Sequence, residues 1–247
     1  MNNHSRMNTH SRIDVKTVKI YLRYVLERPI LRSGFQVDAA QTTEMHMTET
    51  ISREADRSEI RRRQILDAAV ECFRRQGFHG TSMATISKAA KMSVGHIYHY
   101  FDNKEAIISA IAEMDVQDLM TIFSDFNRAD DILESMKAEC RVGFERHADP
   151  QAATLDLEIV AEATRNPKVA AIVQESDAIK RKTIIDTIRR GLAVRGRHLD
   201  DQELAARFEL IAAMFEGISI RIIRNPRLDR AVIFSRFQQV FDELLDG

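Results

Sequence analysis

The stretch Thr81–Lys104, TSMATISKAAKMSVGHIYHYFDNK, narrows the choice of fold more than any other part of the chain. Met83, Ile86, Ala89 and Ala90 recur at helical spacing, and Thr81 or Ser82 can supply the N-cap oxygen of a short helix with one apolar side. Lys91, Met92 and Ser93 then interrupt the pattern, and Ser93 can cap a second helix. A polar break this short makes the two helices cross rather than continue as one.

In that second helix Val94, Ile97 and Phe101 fall at i, i+3 and i+7 and are expected to face inward. Gly95, His96, His99 and Tyr100 then point outward, with Tyr98 at the margin. A glycine costs a helix roughly 1 kcal/mol against alanine, but it lets the backbone approach a base or a sugar closely. Two short crossed helices with such a face are what a helix-turn-helix needs to lay its second helix in a DNA major groove. An ordinary solvated face is the alternative reading of the same residues.

Ile65 to Phe73, with Gly77, Thr81, Ile86, Ala89, Ala90, Gly95, Ile97, Tyr98, Phe101 and Lys104, resembles the N-terminal DNA-binding domain of the tetracycline-repressor family of bacterial regulators. The resemblance implies that Ser82, Ser93, Tyr98, Tyr100 and Lys104 hold phosphates and that Gly95, His96 and His99 lie nearest the base edges. Thr81, Met83 and Val94 complete the expected DNA-facing set. Two positions depart from the family pattern: Val94 stands where many members carry a basic or polar residue, and Tyr100 where many carry histidine. Val94 offers no charge-assisted contact, so His96 and His99 carry more of the expected readout.

Of 247 residues, only four are proline and nine glycine, and 44% are hydrophobic without blocks of alternating Val, Ile and Thr. This composition predicts an all-α protein with a sizeable core. The near-neutral total charge hides a gradient: the net is +2 over residues 1–51, +4 over 52–104 and −7 over 105–247. Positive charge thus collects around the helix-turn-helix, as phosphate binding requires. Cys72 and Cys140 are far apart and outside any CxxC motif, which fits a reducing compartment. With no run of membrane-spanning length and no signal-like segment, the expectation is a soluble cytoplasmic protein, at the nucleoid, without membrane contact.

Three segments are expected: 1–56 as a disordered extension, 57–117 as the three-helix DNA-binding domain, and 118–247 as a helical bundle for ligand binding and dimerisation. In the extension, Val15, Val18, Leu22 and Val25 alternate with basic residues as an amphipathic helix would, and Met47 is a second candidate start. Helix 1 is predicted over about Glu59 to Gln76, with Ile65, Ala69, Cys72 and Phe73 buried and Gly77 as its stop. Arg61, Arg62 and Arg63 read equally as operator contacts or as a solvated run. Asp102 with Glu105 suggests a capping box for a fourth helix. Further helices are predicted over 103–122, 129–147, 151–164, 167–195, 201–224 and 229–245, marked by Asn166–Pro167, Asp200 with Glu203, and Asn225–Pro226.

The last two helices carry Phe208, Ile211, Phe215, Ile222, Phe234, Phe237 and Phe241, more apolar surface than one bundle's interior is expected to need. These seven are therefore the expected homodimer interface, which the resemblance places on the matching pair of helices; a purely internal core is the alternative. The resemblance further implies a small-molecule effector pocket, with Phe123, Phe126, Met136, Cys140, Phe144, Glu158 and Glu162 as candidate walls, although each also reads as ordinary core or surface. Arg165 is an obvious salt partner for Glu162. No nucleophile or base accompanies the glutamates, and His96 and His99 lack a third ligand. No catalytic residue, metal or cofactor is expected.

The expected function is a dimeric regulator, a repressor released from a palindromic double-stranded DNA operator by a small molecule. A helical adaptor that keeps the motif without reading DNA, and a helical enzyme using the glutamates, are the alternatives.

Overall fold

The computed structural model describes residues 42–246, with side chains from Arg57 onward. Chain contacts divide after Thr48, and the architecture below is that of Glu49–Gly247. Among the described residues every regular element is a helix. These are α1 (Thr42–Gly80), α2 (Met83–Ala89), α3 (Val94–Tyr100), α4 (Lys104–Phe126), α5 (Ile132–His147), α6 (Pro150–Ala163), α7 (Pro167–Val194), α8 (Asp201–Arg224) and α9 (Arg230–Asp246). The amphipathic pattern of 15–25 lies outside the described residues. The segment expected as a disordered extension is helical from Thr42 onward.

Local chemistry sets most boundaries. Gly77 leaves helical geometry (φ 71°, ψ 170°) and breaks the last turn of α1, as its placement in the sequence predicts. Asn166 and Asp200 cap α7 and α8 as expected, accepting from Lys168 N–H at 3.1 Å and Glu203 N–H at 2.7 Å. The cap of α4 differs: Asn103, not Asp102, accepts from Ala106 N–H at 2.8 Å, so the helix begins one residue later than a capping box would start it.

Two apolar cores result. The first joins Ile65, Leu66, Ala69 and Phe73 of α1 to Ile86, Ile97, Phe101, Ile107 and Ile108. It also takes in Leu155 of α6 and Val169 of α7, with Ile159 and Ile172 packed against it. The second fills the bundle with Leu133, Phe144, Ile188, Leu192, Leu204, Phe237 and Leu245 among others. Helix α4 runs without interruption across the expected boundary at 117–118 and contributes to both. The reading head is thus welded to the bundle through a shared core and a continuous helix, rather than hung from a linker.

The residues assigned to a dimer face are corrected by this packing. Phe208, Ile211, Ile222, Phe234, Phe237 and Phe241 are all buried within the single chain. Phe215 packs against the same core, its ring 4.8 Å from that of Phe237, and Phe144 meets Phe234 and Phe237 at 5.2 and 5.3 Å. A bundle built around edge-to-face aromatic rings uses this surface internally. The outward apolar residues of α8 and α9 are Leu210, Ile220, Ile223, Val232 and Val240.

Candidate nucleic-acid interface

Helices α2 and α3 are held from behind. Ile86 and Ile97 are fully buried, and Gln64 of α1 donates from Nε2 to the Ala90 carbonyl at 2.8 Å, closing the end of α2. Lys91 adopts the left-handed conformation (φ 55°) that lets the chain reverse, and Met92 N–H bonds back to the Ser87 carbonyl at 3.0 Å. Ser82 and Ser93 cap the two helices, accepting from Thr85 N–H at 3.0 Å and His96 N–H at 3.2 Å. Both serines remain exposed.

Helix α3 presents Ser93, Val94, Gly95, His96, Tyr98 and His99 to solvent. The Tyr100 ring is half-buried and meets the rings of His96 and His99 edge-on at 5.3 and 5.4 Å, so the two imidazoles are braced on one phenol. A Cβ built on Gly95 would find no atom within 4 Å. Nothing within 4 Å inside this chain requires glycine there. Val94 is 39% exposed rather than turned inward with Ile97, because the first turn of α3 projects beyond the head's core.

Three residues of the expected DNA face are placed differently. Thr81 is buried and donates to the Gly77 carbonyl at 2.8 Å, and Met83 is part of the core. Lys104 sits with its ammonium 4.1 Å from the centre of the Phe78 ring and donates to the Phe78 carbonyl, so it is largely occupied within the protein. Burial pulls its pKa below the usual lysine value, against the opposing pull of Glu105 and Glu162. Sequence reading overlooked Lys88 and Lys91, exposed at the end of α2 and in the turn; their flanking of the polar break was the available signal. Of the arginine run, Arg62 pairs with Glu59 and Glu113 and lies over Phe101, and Arg63 pairs with Asp67 at 3.0 Å.

The expected ligand walls also separate. Phe126, Met136, Cys140 and Phe144 are bundle core, and burial pushes the Cys140 thiol up to about 12. Phe123 borders a cleft of about 450 Å³ together with Met120, Asn127 and Arg190. Glu158 and Glu162 face the reading head. Glu158 Oε1 accepts the Phe78 N–H at 2.7 Å. Glu162, 1% exposed rather than a surface acid, lies 2.8 Å from His79 Nε2, with Arg165 Nε at 3.0 Å and Asn166 Nδ2 at 3.2 Å.

A polar cluster lies elsewhere in the bundle. Asp115 of α4 is paired with both Arg146 of α5 and Lys180 of α7. Burial would raise its carboxyl, but the two cations outweigh that and hold it below the usual carboxylate range. Asp156 of α6 keeps solvent contact, yet the crowding walls and the charge of Asp115 push its carboxyl up. His147 donates from Nδ1 to the Gly143 carbonyl at 2.9 Å, and burial keeps its imidazole neutral to lower pH than usual. That donation leaves Nε2 as an acceptor.

A three-helix head with a crossed, solvent-presented pair of helices, fused to a helical bundle, defines the architecture of a helix-turn-helix transcriptional regulator. Residues 65–111 match the family model of bacterial regulatory proteins of the tetR family, and residues 144–246 that of the C-terminal domain of BetI-type transcriptional repressors. The chain belongs to the tetR family. The HTH-type transcriptional regulator UidR of Escherichia coli K12 is 37% identical over 117 residues, 46% of this chain and 57% of that protein, so the match spans little more than half of UidR. The HTH-type transcriptional repressor Rv1474c of Mycobacterium tuberculosis is 28% identical over 176 residues, covering 63% of this chain and 93% of its own. Among solved structures, GusR of Salmonella enterica superposes with a TM-score of 0.63 at 28% identity, over 76% of this chain and 96% of GusR.

Proposed function

We propose that this protein is a ligand-responsive DNA-binding repressor that grips a palindromic operator as a homodimer. The observation that carries the reading is α3 itself: a rigidly backed helix whose outward face joins an unobstructed glycine to two braced imidazoles, with Lys88 and Lys91 beside it. Imidazoles and an open backbone suit base edges, and the lysines suit phosphates. The names of UidR and Rv1474c as HTH-type regulators support the same class.

The dimer face is the outward side of α8 and α9, where Leu210, Ile220, Ile223, Val232 and Val240 are exposed around Ala213 and Gly217. Exposed apolar residues on two adjacent helices favour a partner pair. The effector region is the polar cluster of Asp115, Arg146, His147 and Asp156, where charged and hydrogen-bonding groups of α4, α5 and α6 meet Lys180 of α7. A small molecule there shifts the heads only through different affinity for the two dimer geometries.

Selection of bound duplexes from a random library, followed by anisotropy titration against bulk competitor at several salt concentrations, tests the reading. A palindromic consensus with half-sites about one helical turn apart, or a multiple of it, is expected. Equal binding to selected and scrambled duplexes would favour the helical adaptor instead.

A further inference from the structure

The last turn of α8 stands clear of the bundle, at the end where the reading head is attached. Helix α8 lies antiparallel to α7: Arg189 pairs with Asp201 at 3.0 Å and, two turns on, Arg181 pairs with Glu209 at 3.2 Å. Continued at that register, Arg221 comes level with Val169, which is buried in the core of the head, and Arg224 with Asn166, the cap of α7. The packing thins here. Of Ile220, Arg221, Ile222, Ile223 and Arg224, only Ile222 is buried.

That projecting end is basic against an acidic background. Four arginines and one aspartate lie between Ile220 and Ala231, within a segment, 105–247, whose net charge is −7. Asp229 is occupied by the backbone, accepting the N–H groups of Ala231 and Val232 at 3.1 Å where α9 begins. Arg230 has Glu145 at 3.8 Å. Arg221, Arg224 and Arg227 are exposed and form neither an ion pair nor a side-chain hydrogen bond with any described residue. Cations in the last turn complement a helix dipole, which accounts for Arg221 and Arg224; Arg227, in the turn beyond Asn225, lies outside that effect.

We propose that Arg221, Arg224 and Arg227 are a second phosphate-binding surface, with which the bundle neutralises the DNA backbone between the two half-sites while α3 reads the bases. The proposal rests on the regulatory reading above, and on its dimer face in particular. Ile220 and Ile223 of that face alternate with Arg221 and Arg224, and Val232 follows shortly after, so pairing two chains there gathers both arginine sets about the two-fold axis. A duplex that joins the two heads crosses that axis. At physiological ionic strength a charge is felt over about 8 Å, so guanidinium groups beside the duplex act on its phosphates even where they bond no particular oxygen. The surface therefore adds affinity and salt dependence without adding base choice.

The full chain is titrated by anisotropy against its selected duplex, and against the same duplex with neutral methylphosphonates replacing the phosphates between the half-sites. Wild type is expected to bind the neutralised duplex about tenfold more weakly at about 0.1 M salt. Arg221→Gln with Arg224→Gln and Arg227→Gln is expected to bind both duplexes alike and to select the same consensus. Its slope of log affinity against log salt is expected to be flatter by about 2, since each neutralised phosphate contributes about 0.9. Sedimentation and melting establish that the variant is a folded dimer. Where it is not, Arg227→Gln alone, between the two helices, is read instead and is expected to flatten the slope by about 1. Equal binding of the two duplexes by wild type, or an unchanged slope in a folded dimeric variant, overturns the proposal. Binding to phosphatidylglycerol vesicles that the variant loses, with its duplex binding intact, would assign the patch to a membrane and overturn it too. A wild type that prefers no sequence removes the regulatory reading; salt slopes on bulk duplex then decide the arginines separately, a flatter slope in the variant keeping the phosphate-binding surface and an equal one removing it.

Discussion

Lys104 and Phe78 are joined twice: the ammonium lies 4.1 Å from the ring centre and donates a hydrogen bond to the Phe78 carbonyl. Glu158 takes the N–H of the same phenylalanine, so the residue just after the Gly77 break is held by its ring, its carbonyl and its amide. Lys104 is therefore first a structural residue at the junction of α1 and α4, and only secondarily a source of positive charge.

Lys104→Ala is accordingly expected to lower the stability of the chain, by about 1.5–3 kcal/mol from the charged hydrogen bond and the ring contact together. Urea denaturation measures it. The salt slope of DNA binding should change little, whereas Lys88→Ala and Lys91→Ala should each flatten that slope without lowering the melting temperature. A Lys104→Ala protein with wild-type stability and a flattened slope would return this lysine to the phosphate-binding set.

Gly95→Ala separates folding from function. With open space around the new methyl group, the free protein is expected to gain up to about 1 kcal/mol of stability from improved helix propensity. Affinity for the selected duplex is expected to fall tenfold or more, on the order of 1.4 kcal/mol, as the methyl meets the groove. His99→Ala should relax choice at individual base pairs while leaving nonspecific binding intact. Calorimetry of the free proteins and competition titrations with single-base variants give the readouts.

The two sides of α8 and α9 should behave oppositely. Phe237→Glu places a charge in the bundle core and is expected to cost more than about 3 kcal/mol, leaving little folded protein. Val232→Glu and Leu210→Glu lie at residues 61% and 55% exposed. They are expected to give a folded monomer by sedimentation, with weakened operator binding. A dimer that persists in both would move the interface off these helices.

Asp115 ties a pH dependence to its pairing with Arg146 and Lys180. Its folded carboxyl is held below the unfolded value, so its contribution to stability is fully present above the unfolded carboxylate pKa of about 3.9. It is lost as pH falls through the folded value. Asp115→Asn should therefore be less stable than wild type at pH 7, with the gap closing below about pH 4. Denaturant midpoints across pH 7 to 2 would show it. A gap that stays constant over that range would mean that the pairing with Arg146 and Lys180 contributes no net stability.

The helix-turn-helix was legible because its information is local. Apolar spacing buries Ile86 and Ile97, serine oxygens cap α2 and α3, and Gly77 breaks α1; each effect acts within a turn or two of the residue responsible. The same locality made the helices of the bundle readable to within a few residues, from Asn166–Pro167 and Asp200 onward. Where neighbours at one or two positions compete, as Asp102 and Asn103 do for the cap of α4, the pattern alone chose the wrong one.

What a side chain does at long range was not local, and there the tertiary structure decided. Periodicity marks Phe215, Phe234 and Phe237 as apolar, but only the packing of α5 between them spends those rings inside one chain and leaves Leu210 and Val232 outside. Spacing puts Glu158 and Glu162 on one helical face, yet their partners Phe78 and His79 lie some eighty residues earlier. The sequence by itself determined which segments from Glu59 onward are helical and which face of α3 is polar, because hydrogen bonding and solvation act along the chain. Tertiary structure decided which apolar face meets another and which carboxylate meets the head, because burial and buried charge depend on what the fold brings near.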